Sequence, residues 1–210
     1  MRSFRNSLRS PLHAMALGAL LAPCFLGPLR ADAPPPTPAP DGKAPPFFPV
    51  AVGNAWSYRC SVEGEHALDK TVTIMAAEPI AGRTFFRSEL IVDDRGPPLT
   101  SFLLVDDRGS ILSTDSVDSD STTLIITPRP QIGERIGDYR VAAFEKVKAP
   151  AVGLVEAVRL ENFSLDDPEL DAEQRMLWEA RFFAPGIGLV AEADGLGGEC
   201  ALVRLHLIGP

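Results

Sequence analysis

From residue 47 onward, hydrophobic and polar residues alternate in short runs that Gly, Pro, Asn and Asp separate. In residues 55–62, for example, Trp56, Tyr58, Cys60 and Val62 fall on one face of an extended chain. Short runs with this period of two are typical of β-strands that bury one face. Eleven such runs cover residues 55–62, 69–77, 84–92, 99–105, 110–113, 122–127, 139–147, 154–161, 177–183, 188–193 and 200–208.

This spacing predicts a mainly β fold in which a single antiparallel meander forms a curved sheet or a barrel. No segment between the runs is long and amphipathic enough for the repeated helical crossovers that parallel strands need. One short helix is predicted over residues 168–176, because Asp167 can cap its N-terminus and Pro168 suits its first position.

The first 46 residues have a different pattern, and they predict export. Residues 1–31 begin with basic residues, continue with an apolar stretch over 14–26 and end in small residues near Ala31, which are the three parts of a signal peptide. Residues 32–46 are rich in Pro and Ala, a composition that favours an extended linker and cannot form a core. The third predicted part is a β-rich domain over residues 47–210, in the periplasm or outside the cell.

Cys24 allows a second form of the exported protein. It follows Leu20, Leu21, Ala22 and Pro23, which is similar to bacterial lipoprotein signals except that those have a small residue where Pro23 stands. Cys24 is therefore a candidate for lipid attachment, which would tether the domain without changing its fold. The rest of the chain has no apolar run as long as the roughly 18 residues of a membrane-spanning helix.

The charge of the chain argues against nucleic acid as a partner. Of 20 basic and 28 acidic residues, removal of residues 1–33, for a cut after Ala33 in place of Ala31, takes away four arginines and one aspartate and leaves a net charge of −11. Such a surface repels nucleic acids and anionic membranes at long range.

Cys60 and Cys200 are the cysteines of the predicted domain, and a disulfide between them suits an oxidising compartment. The alternation leaves their pairing open. Cys60 shares the core face of the first strand, whereas Cys200 shares its face with Arg204 and His206. Without a bulge near Gly197-Gly198, the two sulfurs point apart.

No recognisable catalytic or metal-binding motif is present, so neither a metal nor a cofactor is predicted. His66 and His206 have no metal-ligand spacing, and we expect both at the surface.

The segment 92–96 (VDDRG) recurs at 105–109, and paired aspartates are potential cation ligands. Each copy ends a strand and contains a glycine, however, which indicates turns. Successive turns of a meander lie at opposite ends of the sheet and cannot share an ion.

Three segments carry a family resemblance. The first is Phe48–Tyr58 (FPVAVGNAWSY), the second is Pro130–Glu134 (PQIGE), and the third is Trp178–Val190 (WEARFFAPGIGLV). Together they resemble the motifs of a family of uncharacterised bacterial envelope proteins and lipoproteins, although Ile136 stands where that family has a tryptophan. The resemblance implies an exported β-rich domain and no known activity. Pro185 and Gly186 in the third motif predict a tight turn between two strands.

The predicted function is that of a non-enzymatic cell-envelope domain that binds an apolar ligand or a protein partner. One alternative is a structural or interaction module with a filled core and no ligand, and a hydrolase built on carboxylates is the third. The ligand hypothesis rests on the large apolar residues of the predicted sheet: Phe85, Phe86, Phe102, Trp178, Phe182 and Phe183.

Overall fold

The computed structural model describes residues 46–93, 96–118, 121–162 and 177–208, and these form twelve β-strands and no helix. Every one of the eleven predicted strands overlaps an observed strand, so the predicted fold class is confirmed. The strands are β1 (Ala55–Val62), β2 (Glu65–Ile80), β3 (Arg83–Val92), β4 (Leu99–Val105), β5 (Ile111–Thr114), β6 (Thr123–Ile126), β7 (Arg135–Ile136), β8 (Tyr139–Ala149), β9 (Gly153–Glu161), β10 (Glu179–Ala184), β11 (Gly188–Asp194) and β12 (Gly198–His206).

Several predictions fall outside the described residues. They are the signal peptide over 1–31, lipid attachment at Cys24, the linker over 32–46 except for its last residue, and the helix over 168–176. Each stays a prediction. Within the described ranges, no helix has the length and apolar character needed to cross a membrane.

All strands pair antiparallel in one sheet, whose order runs from β6 back to β1 and then from β12 back to β7. The pairing of the first strand with the last joins the two halves of the meander, and the sheet curves into a nearly closed barrel with β6 and β7 as its edges. The two edges approach closely: a Cβ atom placed on Gly137, just after β7, would lie 3.0 Å from the carbonyl oxygen of Leu124 in β6. This approach shields edge groups that could otherwise pair with another chain.

The core fills the inside of the barrel. Trp56 and Tyr58 of β1 define the inner face of the sheet and are almost completely buried. Each fully buried aliphatic side chain contributes about 1.5–3 kcal/mol to folding. The other strands add Ile74, Leu103, Ile111, Ile126, Ile136, Val141, Val158, Leu160, Phe183, Val190 and Leu202 to the same cluster.

The two ends of the barrel differ. Residues 46–54 cover one end, where Phe48 stacks on Trp56 with ring centroids 4.6 Å apart. We call this the closed end. The opposite end contains the β1–β2 and β11–β12 turns, and we call it the open end.

Candidate functional site

Charged side chains lie on the inner face of the sheet near the open end. The strand register aligns Lys70 with Tyr58 across β1 and β2, and Glu192 with Cys200 across β11 and β12. Arg181 of β10 lies opposite Glu192. Because directly opposed residues share a face of the sheet, all three charged side chains are on the inner face, beside the apolar core. Lys70 and Glu192 are only 19% and 24% exposed.

These residues border a cleft of about 360 Å³, which we call the open-end cleft. Its two walls differ in chemistry. Strands β1 to β3 supply an apolar wall with Val62, Leu68 and Val92, whereas β10 and β11 supply a charged wall with Arg181 and Glu192. The volume is within the range of about 300–1,000 Å³ that is typical of small-molecule sites. The cleft can therefore hold a small molecule with one apolar and one polar side.

Glu192 is the centre of the charged wall. One of its oxygens forms an ion pair with Lys70 Nζ, and the other lies 3.9 Å from Arg181 Nε. Arg181 also lies 3.9 Å from a Glu179 oxygen, and its guanidinium carbon is 4.5 Å from the ring centre of Tyr139. Partly buried charges are stable where each has a partner of opposite sign. Both cations among the described lining residues are thus already paired with carboxylates.

Two tyrosines beside this network are held in their neutral form. Burial raises the pKa of Tyr58 well above its usual value, and the negative charge of Glu192 adds to the effect. Burial and the hydrogen bond that it donates to Glu179 raise the pKa of Tyr139 to about 12. Both side chains therefore remain hydrogen-bond donors at neutral pH. Tyr58 donates to the carbonyl oxygen of Leu189 at 3.1 Å.

Cys60 and Cys200 form a disulfide that lines the open-end cleft between its two walls. They are direct partners across β1 and β12, with their Cα atoms 4.0 Å apart. The sequence left this pairing open, and the structure makes the bond.

A bulge in β12 makes the disulfide possible. Strict alternation places Cys200 on the face of Arg204, so that without a bulge, considered above near residues 197–198, the two sulfurs would point apart. In the structure, Ser57 of β1 pairs with Arg204 of β12, and the next residue, Tyr58, pairs with Leu202. Val203 is therefore the extra residue of the bulge. One extra residue reverses the alternation, so Cys200 and Leu202 reach the inner face. The bulge lies at Val203 and not near residues 197–198, and it has the effect that the disulfide needs.

The first and third sequence motifs meet at the closed end. Trp56 Nε1 of the first motif donates a hydrogen bond to the carbonyl oxygen of Ile187 in the third, at 2.6 Å. A Cβ atom on Gly188 would lie 3.0 Å from the Phe48 ring, so the close packing of the two motifs requires glycine there. Their conspicuous residues are therefore explained by architecture, at the end opposite the cleft.

The predicted turn at Pro185 and Gly186 is present. The Ile187 N–H donates to the Ala184 carbonyl oxygen at 3.1 Å, and Gly186 has a φ of +73°. A type II turn requires a positive φ at this position.

We expect Gly186→Val to lower the free energy of unfolding by about 1–3 kcal/mol, because a β-branched side chain at positive φ is strained. Gly186→Asn is the matched control, since asparagine tolerates this conformation, and it should lose less. Thermal unfolding followed by circular dichroism measures both. Identical midpoints for the wild type and Gly186→Val would refute the need for glycine in this turn.

The remaining candidate residues are not brought together. Asp93 follows β3 at the open end, whereas Asp106 follows β4 at the closed end, as the turn interpretation predicted. The Asp106 carboxylate accepts a hydrogen bond from the Ser110 N–H at 2.8 Å. His66 and His206 are both exposed. In the part of the chain that the structure describes, no three His, Cys, Asp or Glu side chains are grouped as metal ligands.

The aromatic residues that suggested a ligand site have a different place. Phe85 and Phe183 are buried, and Phe86 and Phe182 pack against the core. None of the six aromatic residues cited for the ligand hypothesis is among the described residues that line the open-end cleft. Phe183 is part of the core cluster and Phe86 and Phe182 pack against it, as the alternative of a filled core expected, whereas Phe85, Phe102 and Trp178 are not part of that cluster.

Comparison with known proteins places the chain by its fold. No protein-family model matches the sequence, and no curated protein matches it. One similar solved structure is from Bacteroides fragilis, of a protein provisionally described as exported with a YmcC-like fold; it has a TM-score of 0.52 at 12% identity, and the match covers 78% of this chain and 100% of that one. Another is from Parabacteroides distasonis, of a protein provisionally described as a lipoprotein. It has a TM-score of 0.54 at 12% identity, and the match covers 78% of this chain and 99% of that one. At this identity the likeness establishes the fold alone.

Proposed function

We propose that this chain is an exported cell-envelope domain that binds a small lipophilic molecule in the open-end cleft and catalyses no reaction. The carrying observation is the cleft itself, about 360 Å³ in volume with Val62, Leu68 and Val92 on one wall. Apolar surface that remains accessible beside a packed core favours an apolar ligand.

Three observations support export. The N-terminal residues have the pattern of a signal peptide. The Cys60–Cys200 disulfide suits the periplasm or the outside of the cell, where thiols are oxidised. The two proteins of similar fold are described as exported and as a lipoprotein, which also favours a lipid anchor at Cys24. Membership of the bacterial envelope family that the motifs resemble is part of the same proposal.

The ion pairs of the charged wall support the proposal that the cleft catalyses no reaction. A general acid or base needs a carboxylate that can reach the substrate proton. The Glu192 side chain is 24% exposed, and its two oxygens face Lys70 and Arg181 instead. An interaction module with no ligand is the competing function, and the aromatic filling of the core favours it.

Native mass spectrometry of the full-length protein, purified from the cell envelope without detergent exchange, separates the two functions. We expect the wild type to retain a bound molecule of lipid-like mass. Val62→Trp should lose it, because Val62 lines the cleft and a larger side chain there would occupy part of the volume.

Val105→Trp is the matched control. Val105 also ends a strand and is 43% exposed, against 47% for Val62, but it lies at the closed end. It should retain the bound molecule. Spectra of bare protein from the wild type would favour the interaction module, whereas equal retention by Val62→Trp would show that the molecule does not bind in the open-end cleft.

A further inference from the structure

We propose that the open-end cleft selects amphiphiles with a cationic head group, such as an alkylamine, over anionic amphiphiles such as fatty acids. This inference rests on the proposed function, because it names the class of molecule that the same cleft would bind. Its basis is the imbalance between carboxylates and cations at the site.

The described lining residues include four carboxylates and two cations. The cations are Lys70 and Arg181, and the carboxylates are Glu179, Glu192, Asp194 and Glu199. Charges that line a concave, partly apolar surface act on a ligand more strongly than charges on an open surface, because less water screens them. The field in the cleft therefore favours a positive group.

Among the described lining residues, an anionic head group would find no unoccupied cation. Lys70 is paired with Glu192 and lies 5.2 Å from the ring centre of Tyr58. Arg181 is shared between Glu179 and Glu192. An anion that captured either cation would have to compete with Glu192 for it and would place two negative charges beside one cation in a partly buried site, which is unfavourable.

A cationic head group would meet carboxylates at the rim. Asp194 ends β11 at the open end, where its Oδ1 accepts hydrogen bonds from the N–H groups of Leu196 and Gly198 at 2.9 and 2.8 Å. These neutral donors position the carboxylate and leave its charge in place. Glu199 lies beside it at the start of β12, on the outer side of the strand, and adds to the negative field. The apolar wall with Val62 would then contact the alkyl chain.

Titration calorimetry with three probes that each have a ten-carbon chain, decyltrimethylammonium, decanoate and decanol, tests this selection. Each probe is added to the full-length protein below the concentration at which it forms micelles. We expect decyltrimethylammonium to bind at least tenfold more tightly than decanoate at low ionic strength, with decanol between them. The ratio should fall as salt is added, because salt screens charges near the surface.

Two double variants locate the effect. Asp194→Asn with Glu199→Gln neutralises the rim, and the asparagine oxygen can still accept the two backbone hydrogen bonds, so the ratio should fall to near one. Asp107→Asn with Glu156→Gln makes the same change in net charge at exposed residues toward the closed end, and the ratio should not change. Equal changes in both variants would assign the preference to overall charge and overturn the inference.

The probes also distinguish the two proposals. If the wild type binds decanoate as tightly as decyltrimethylammonium, the inferred selectivity is wrong and the lipophilic site stands. If it binds none of the three probes, both the selectivity and the proposed function fail.

Discussion

Replacing both cysteines, as Cys60→Ala with Cys200→Ala, is expected to lower the free energy of unfolding by about 5 kcal/mol. The two residues are 140 positions apart, and their bond joins the first strand to the last. In the chain-entropy view, such a cross-link stabilises the fold by restricting the unfolded chain, and the effect grows with the length of the closed loop. A loss of this size is a large part of the 5–15 kcal/mol that typical domains have.

Denaturant unfolding followed by circular dichroism measures the change. The wild type treated with a reductant is the matched control, because it has the cysteines without the bond, and its midpoint should move toward that of the double variant. The double variant itself should not respond to the reductant. If its midpoint and slope equal those of the oxidised wild type, the bond contributes nothing to stability and the closure of β1 onto β12 rests on backbone pairing alone.

Alternation was sufficient to predict most of the fold. A strand that buries one face shows apolar residues at every second position, whichever strands it pairs with. All eleven predicted runs therefore overlap observed strands. It failed for β7, because Arg135 and Ile136 form a strand too short to show any period. The pairing of β1 with β12 also has no local signal, since the two strands lie at opposite ends of the domain sequence.

The site was harder to predict than the fold, although one signal was present. In β2 the inner face reads Leu68, Lys70, Val72 and Ile74, so a charged residue interrupts an apolar series. A charge on the core face of a strand indicates a cleft or a buried ion pair. The partner of Lys70, Glu192, is 122 residues away, and only the register of the sheet brings the two together. The aromatic residues were more conspicuous in the sequence, but none of the six is among the described lining residues of the cleft, and three of them belong to the core or pack against it.

Bulges explain why face assignment failed where strand assignment succeeded. A strand can be recognised from any few alternating residues, whereas the face of a given residue depends on counting from a fixed point. The extra residue at Val203 reverses the count for Cys200 while leaving Leu205 on the core face. Nothing in the local composition marks Val203, which is a common strand residue.

Trp56→Ala is expected to lower the free energy of unfolding by about 3–5 kcal/mol, because it leaves a large cavity in the core. Trp56 is completely buried, stacks on Phe48 and donates a hydrogen bond to the Ile187 carbonyl oxygen. It therefore connects the segment that covers the closed end to the β10–β11 turn. Trp56→Phe retains most of the apolar contact but removes the donor, so it should cost about 1–3 kcal/mol for the unpaired carbonyl group, in addition to the smaller cavity.

Trp178→Phe is the matched control for the hydrogen bond. Trp178 is the other tryptophan of the chain, and its Nε1 is buried without a hydrogen-bond partner among the residues that the structure describes. Its replacement should therefore cost less than Trp56→Phe when both are measured by denaturant unfolding. If the two phenylalanine variants lose equal stability, the bond from Trp56 to Ile187 does not hold the closed end together. The packing of Phe48 against Trp56 and Gly188 would then be the main contact between the two motifs, and Phe48→Ala should destabilise the domain as much as Trp56→Phe does.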